Sequence, residues 1–225
     1  MKPKSFFLLF LTLLIVNSSL LIATVRYVSK TGSSTPPYTN WQTAADSIQK
    51  CINLCVDGDT IYVANGVYKE NLVINTAISL IGSSMDSTVI DGVGLGNYTI
   101  IFNTSGKLEN FRLFGKQNGT GSCINSVTAS FPIITVRNCR IEETARGISA
   151  WGVIVENVIF KNLWGGINSS GMPNSDNYIS NCLMYLNNEN ANGISLSGPN
   201  YANYFVNNNI ILFSGSANPD NGISI

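Results

Sequence analysis

An asparagine flanked by apolar residues returns at intervals through the second half of the chain, and its neighbours keep the same order each time. The segments are Leu108-Glu109-Asn110-Phe111, Val136-Arg137-Asn138-Cys139, Val155-Glu156-Asn157-Val158, Ile179-Ser180-Asn181-Cys182 and Val206-Asn207-Asn208-Asn209. From Asn110 to Asn138, Asn157, Asn181 and Asn208 the steps are 28, 19, 24 and 27 residues. Three positions after each anchor stands Leu113, Ile141, Phe160, Met184 or Ile211. A second landmark follows as Cys123-Ile124, Gly147-Ile148, Gly166-Ile167, Gly193-Ile194 and Gly222-Ile223. A unit this short cannot bury its own apolar face, so copies must stack as a solenoid. The strand-like runs predict a right-handed parallel β-helix with a triangular coil per repeat. The inward residues stack from coil to coil, and Asn takes a left-handed corner.

The first half fits the same plan. Trp41, Ala44, Ala45, Ile48, Ile52 and Cys55 share one face of a helix, which predicts an N-terminal capping helix over 40–56 with Asn40 as its N-cap. Short β runs follow at Thr60 to Ala64, Asn71 to Ile74, Ile78 to Ile81 and Thr88 to Ile90. Spacing between the inward residue and the Gly-Ile landmark grows from 6 residues after Ile141 and Phe160 to 9 after Met184 and 11 after Ile211. In a solenoid such variation at one corner marks the face carrying the specific surface. Because Gly222-Ile223-Ser224-Ile225 repeats the opening of the strand at Gly193, the repeat predicts further C-terminal coils or a capping partner.

Lys2 and Lys4 precede an apolar run from Phe6 to Val16, and Ala23 is a suitable cleavage residue. This pattern predicts a signal peptide over 1–23, a β-helix domain over 24–225, and a secreted or cell-surface protein with no stable membrane span after cleavage. Lys+Arg and Asp+Glu balance at 13 each, so the chain lacks the basic surface that nucleic acid requires. The chain has no His, and its five cysteines form no CxxC pair. Cys139 and Cys182, each following an anchor Asn, read as small buried hydrophobes.

From Asp57 to Gly92, DGDTIYVANGVYKENLVINTAISLIGSSMDSTVIDG resembles the opening coil of the pectin lyase-like superfamily, including the start of pectin methylesterases. The later coils resemble carbohydrate-binding and sugar-hydrolase β-helix repeats. Gly66, Tyr68, Glu70 and Ile74 match a G-x-Y-x-E-x-x-x-I opening that is structural in that superfamily. The resemblance implies a parallel β-helix and a polysaccharide partner, possible enzymes of the class being lyases, glycoside hydrolases or carbohydrate esterases. The Q-D-T and D-F-I-F-G motifs of the methylesterases are absent. The fold alone therefore does not decide between a protein that binds or processes a pectin-like polyuronate and a non-catalytic, adhesin-like surface module.

Candidate site residues fall into two groups. Glu142, Glu143 and Arg146 form the densest charge cluster of the coils and are the catalytic candidates; adjacent strand residues face opposite ways, so ordinary ion pairs are the competing explanation. Phe114, Trp164, Tyr185 and Phe213 fall at the variable corner, where rings either stack on sugars or cover neighbouring coils. No cofactor is evident. Ca2+ needs about six to eight converging oxygens, and Asp57, Asp59, Asp86 and Asp91 are spaced as turn residues instead.

Overall fold

The computed structural model describes residues 23–117, 119, 121–126, 132–171, 175–187, 191–198, 202–214 and 222–224. The signal-peptide expectation, apart from Ala23, and the corner at 215–221 lie outside them. Among the described residues three parallel sheets of eight, seven and seven strands run the length of the molecule, and the chain visits first, second and third sheet in turn. Every pairing is parallel. The result is a right-handed parallel β-helix, the hand that parallel crossovers take. No helix among the described residues is long and apolar enough to cross a membrane.

Each sheet contributes an inward column. In the first sheet Ile61, Leu80, Leu108, Val136, Val155 and Ile179 stand in register. In the second the column is Tyr68, Ile90, Leu113, Ile141, Phe160, Met184 and Ile211. The third stacks Leu72 and the isoleucines 100, 124, 148, 167 and 194. All but Ile211 are buried, and burial of each such side chain stabilises the coil by roughly 1.5–3 kcal/mol. The residues three positions after the anchors are therefore the core of the second sheet.

The anchor asparagines make the corner between first and second sheets. Asn110, Asn138, Asn157, Asn181 and Asn208 all have φ between 50° and 63°. Their backbone N–H groups donate across coils, Asn138 to Glu156 O and Asn157 to Ser180 O. The residue after each of the first four turns inward, giving a buried column of Phe111, Cys139, Val158 and Cys182. Side-chain laddering is local: Asn157 Nδ2 donates to Asn138 Oδ1 at 3.2 Å, and Asn138 Nδ2 to Glu109 Oε1 at 3.3 Å. Backbone conformation thus outweighs amide pairing in the choice of Asn. Asn157→Ala should cost about 1–2 kcal/mol, the left-handed penalty of a residue with Cβ. Asn157→Gly should recover most of it. Urea denaturation of the pair checks this; equal losses would assign the cost to the amide instead.

Gly147, Gly166 and Gly193 of the Gly-Ile landmarks make room for the next coil. A Cβ on Gly147 would lie 2.6 Å from the Phe160 ring, and one on Gly166 would lie 2.6 Å from Met184 Sδ. At Gly147 and Gly166 the large inward residues of the second sheet thus reach across to space that a Cβ would fill.

The cap differs from its sequence expectation. Helix α1 spans Ile48–Ile52, and its N-cap is Ser47, not Asn40. Asn40 Oδ1 instead accepts from Thr43 N in a local turn, and Ala45 pairs with Val28 of the first strand through bonds to Tyr27 and Ser29. Small apolar residues at 44 and 45 satisfy a helical face and an extended segment equally, so periodicity ran past the true start. Glu70 of the opening motif reaches the helix from the first coil. Its carboxylate accepts from Ser47 Oγ at 2.8 Å and from the N–H groups of Ile48 and Gln49 at 3.0 Å, filling the orphan donors of the first turn.

Corner lengths also differ from expectation. Besides the corner between second and third sheets, the return from third to first varies, from Ser126 to Ile133, Ser169 to Asp176 and Leu196 to Asn203. Between Ala150 and Gly152 it is Trp151 alone, which accounts for the short step from Asn138 to Asn157.

Candidate functional site

The outer face of the third sheet changes character along the solenoid. Its outward column begins with Val73 and Ile101 and continues as Asn125, Ser149, Asn168 and Ser195, a line of amides and hydroxyls. The column at the strand starts carries Ser122, Arg146, Gly165 and Asn192 in register. Gly165 supplies no side chain between Arg146 and Asn192, and a cavity of about 290 Å3 opens there. Arg146, Trp164, Asn168, Asn192 and Ser195 are among the groups around it. Trp164 occupies the corner just before the strand. Its N–H and that of Gly165 both donate to Ala145 O, while Leu163 beside it is buried, so the indole is directed outward and is 43% exposed. Among the described residues the Arg146 guanidinium makes no hydrogen bond and no ion pair.

A second depression, about 570 Å3, lies on the outer face of the second sheet and is bordered by Arg140, Glu142, Lys161, Asn162 and Tyr185. Glu142 is 4% exposed. Arg112 donates to its Oε2 at 2.7 and 3.2 Å, and Arg140 approaches Oε1 at 3.5 Å while also pairing with Asp86 at 3.3 Å. Glu143 stands at a left-handed corner with φ 52°. It accepts from Gln117 at 3.1 Å and from Asn162 at 2.7 Å, tying together three coils.

The three charged candidates are therefore not brought together: Glu142 faces the second-sheet depression, Glu143 turns the corner, and Arg146 enters the third-sheet groove. The aromatic candidates divide too. Trp164 and Tyr185 are each 43% exposed and border the two depressions. Phe114 lies under the Arg112 guanidinium, 4.8 Å from its centroid. Phe213 stands in register with buried Leu186, packs against the core and also borders the second depression. Asn192 and Ser195 were not singled out from sequence; placing them required the register of the third sheet.

The aspartates occupy turns or ion pairs. Asp57 accepts from Ala77 N, Asp91 from Val93 N, and Asp86 pairs with Arg140. Among the described residues no three His, Cys, Asp or Glu side chains converge as a metal site would need.

Geometry of this kind defines the chain as a parallel β-helix with an aromatic, amide-lined groove on its third sheet. Comparison with protein-family models and with curated protein sequences finds no match. Among solved structures, a pectin methylesterase from Aspergillus niger aligns over 89% of this chain and 89% of its own, at 14% identity and a TM-score of 0.46. A likeness at that level concerns the fold and gives no ground for assigning the groove.

Proposed function

We propose that this chain is a secreted or cell-surface β-helix that binds an acidic, pectin-like polysaccharide in the groove of its third sheet. The observation carrying the reading is that the outward Trp164 indole borders the same groove as the Arg146 guanidinium, which has no partner among the described residues, beside Asn168, Asn192 and Ser195. An indole offers a flat apolar face to the C–H side of a sugar ring, and amides and hydroxyls exchange hydrogen bonds with its hydroxyls. A guanidinium grips a carboxylate through two parallel bonds, which favours uronate over neutral sugar. Binding without turnover is the reading for the two glutamates, because Arg112 and Arg140 hold Glu142 and amides hold Glu143. A free acid and a free base facing one substrate are what bond cleavage would require.

Retention on immobilised polygalacturonate, methyl-esterified pectin and a neutral glucan tests this proposal. Polygalacturonate should bind most tightly, and Arg146→Gln should weaken it roughly tenfold, the loss of about 1.4 kcal/mol. No new reducing or unsaturated ends should appear. Equal retention on all three would remove Arg146 from recognition, and retention on none would leave the adhesin-like alternative.

A further inference from the structure

Far from the groove, the two cysteines of the cap stand apart from the other three. Cys123, Cys139 and Cys182 lie inside the solenoid, where burial raises their thiols to about 12, about 12 and about 11. Such thiols are inert packing. Cys51 is buried in the last turn of α1, and Cys55 follows it by four residues in a tightened turn. Leu54 N donates to Cys51 O at 3.1 Å and Cys55 N to Ile52 O at 3.0 Å. This winding carries Cys55 Sγ back to within 3.4 Å of the Cys51 backbone O, and the two thiols share a side-chain hydrogen bond. Cys55 is only half-buried, and it lies beside the Arg26 guanidinium. The Cys51 thiol holds the Cys55 thiol below its ordinary value, more than burial and the Asp59 carboxylate raise it; Cys51 is driven the opposite way.

We propose that Cys51 and Cys55 form a redox-active pair, Cys55 attacking a small-molecule disulfide and Cys51 resolving the product into an intramolecular disulfide that fastens the cap turn. The Cys55 thiolate attacks one sulfur of glutathione disulfide, forming a Cys55–glutathione mixed disulfide and expelling one glutathione thiolate. Cys51 then gives up its proton and attacks the Cys55 sulfur, forming the Cys51–Cys55 bond and expelling the second. Two protein thiols are oxidised, one glutathione disulfide is reduced to two glutathiones, and the released protons go to the leaving thiolates. Helical neighbours four apart have Cβ atoms about 5–6 Å apart, and a disulfide needs about 3.5–4.5 Å. The closure is thus an approach of about 1–2 Å, taken up in the irregular 53–56 turn.

The test is incubation of the full chain with glutathione disulfide, trapping with iodoacetamide and peptide mass spectrometry. The peptide from Cys51 to Lys69 should appear unalkylated and lighter by two hydrogens than its reduced form, with Cys123, Cys139 and Cys182 still alkylatable after unfolding. Cys51→Ala should stop at the Cys55–glutathione adduct, and Cys55→Ala should leave Cys51 reduced. Before oxidation, Cys55 should alkylate at least tenfold faster than Cys139 in the folded chain. A wild-type chain that stops at the adduct, or that leaves Cys55 unmodified, overturns the proposal. The wild-type result decides the matter even if Cys51→Ala does not fold.

Discussion

Replacing Asp59 with alanine is expected to destabilise the chain by about 3–5 kcal/mol, the cost of removing one partner of a buried ion pair. Asp59 is fully buried. Its carboxylate accepts from Thr24 N at 2.6 Å, Val56 N at 3.1 Å and Arg26 Nε at 3.0 Å, while Arg26 Nη1 donates to Pro37 O at 2.8 Å. One side chain therefore joins the first strand, the end of the cap and the loop over it. Alanine leaves Arg26 charged and half-satisfied in the interior, and the melting temperature should fall on the order of 10 °C.

The same site sets an acid limit. Burial pushes the Asp59 carboxyl up, but the Thr24 and Val56 N–H groups and Arg26 together outweigh it and hold it below the usual value. A depressed carboxylate contributes stability that is complete above its unfolded pKa, near 3.9, and that is lost as pH falls through the folded value. Thermal melts between about pH 3 and 7 should show an acid limb that is shallower in Asp59→Asn. An unchanged limb in that variant would move the acid sensitivity to other carboxylates.

The asparagine spacing made the inward column of the second sheet legible, because in the Asn-anchored coils the first corner is always two residues long and the next strand starts at a fixed distance. Leu113, Ile141, Phe160 and Met184 therefore needed only counting. The groove was legible only in part. Trp164 and Arg146 were visible as an aromatic at a variable corner and a charge near a Gly-Ile pair. Their company was not, since Asn168 and Asn192 become neighbours of Arg146 only when the register is known, and the single-residue corner at Trp151 shifts that register. Glu142 and Glu143 looked like one cluster because sequence adjacency hides the left-handed corner at Glu143 that parts them. At the cap, Ala44 and Ala45 have no side chain long enough to tell a helix from a strand partner.

Trp164→Ala should weaken acidic-glycan binding roughly tenfold to a hundredfold, the range in which single aromatic anchors act at binding surfaces. The indole projects from a corner whose backbone bonds to Ala145 remain in the variant, and 43% of the side chain already faces water. Stability should thus change little, since surface substitutions away from packed features are usually within about 0.5 kcal/mol. Tyr185→Ala, on the second sheet, should leave binding unchanged and separates the two depressions. The deciding measurement is isothermal titration of wild type and Trp164→Ala with a galacturonate oligosaccharide, with a melting curve for each. Binding lost at least tenfold with the melting temperature retained is the predicted result; binding retained, or binding and stability lost together, would show that Trp164 packs the coil and that the groove is not the site.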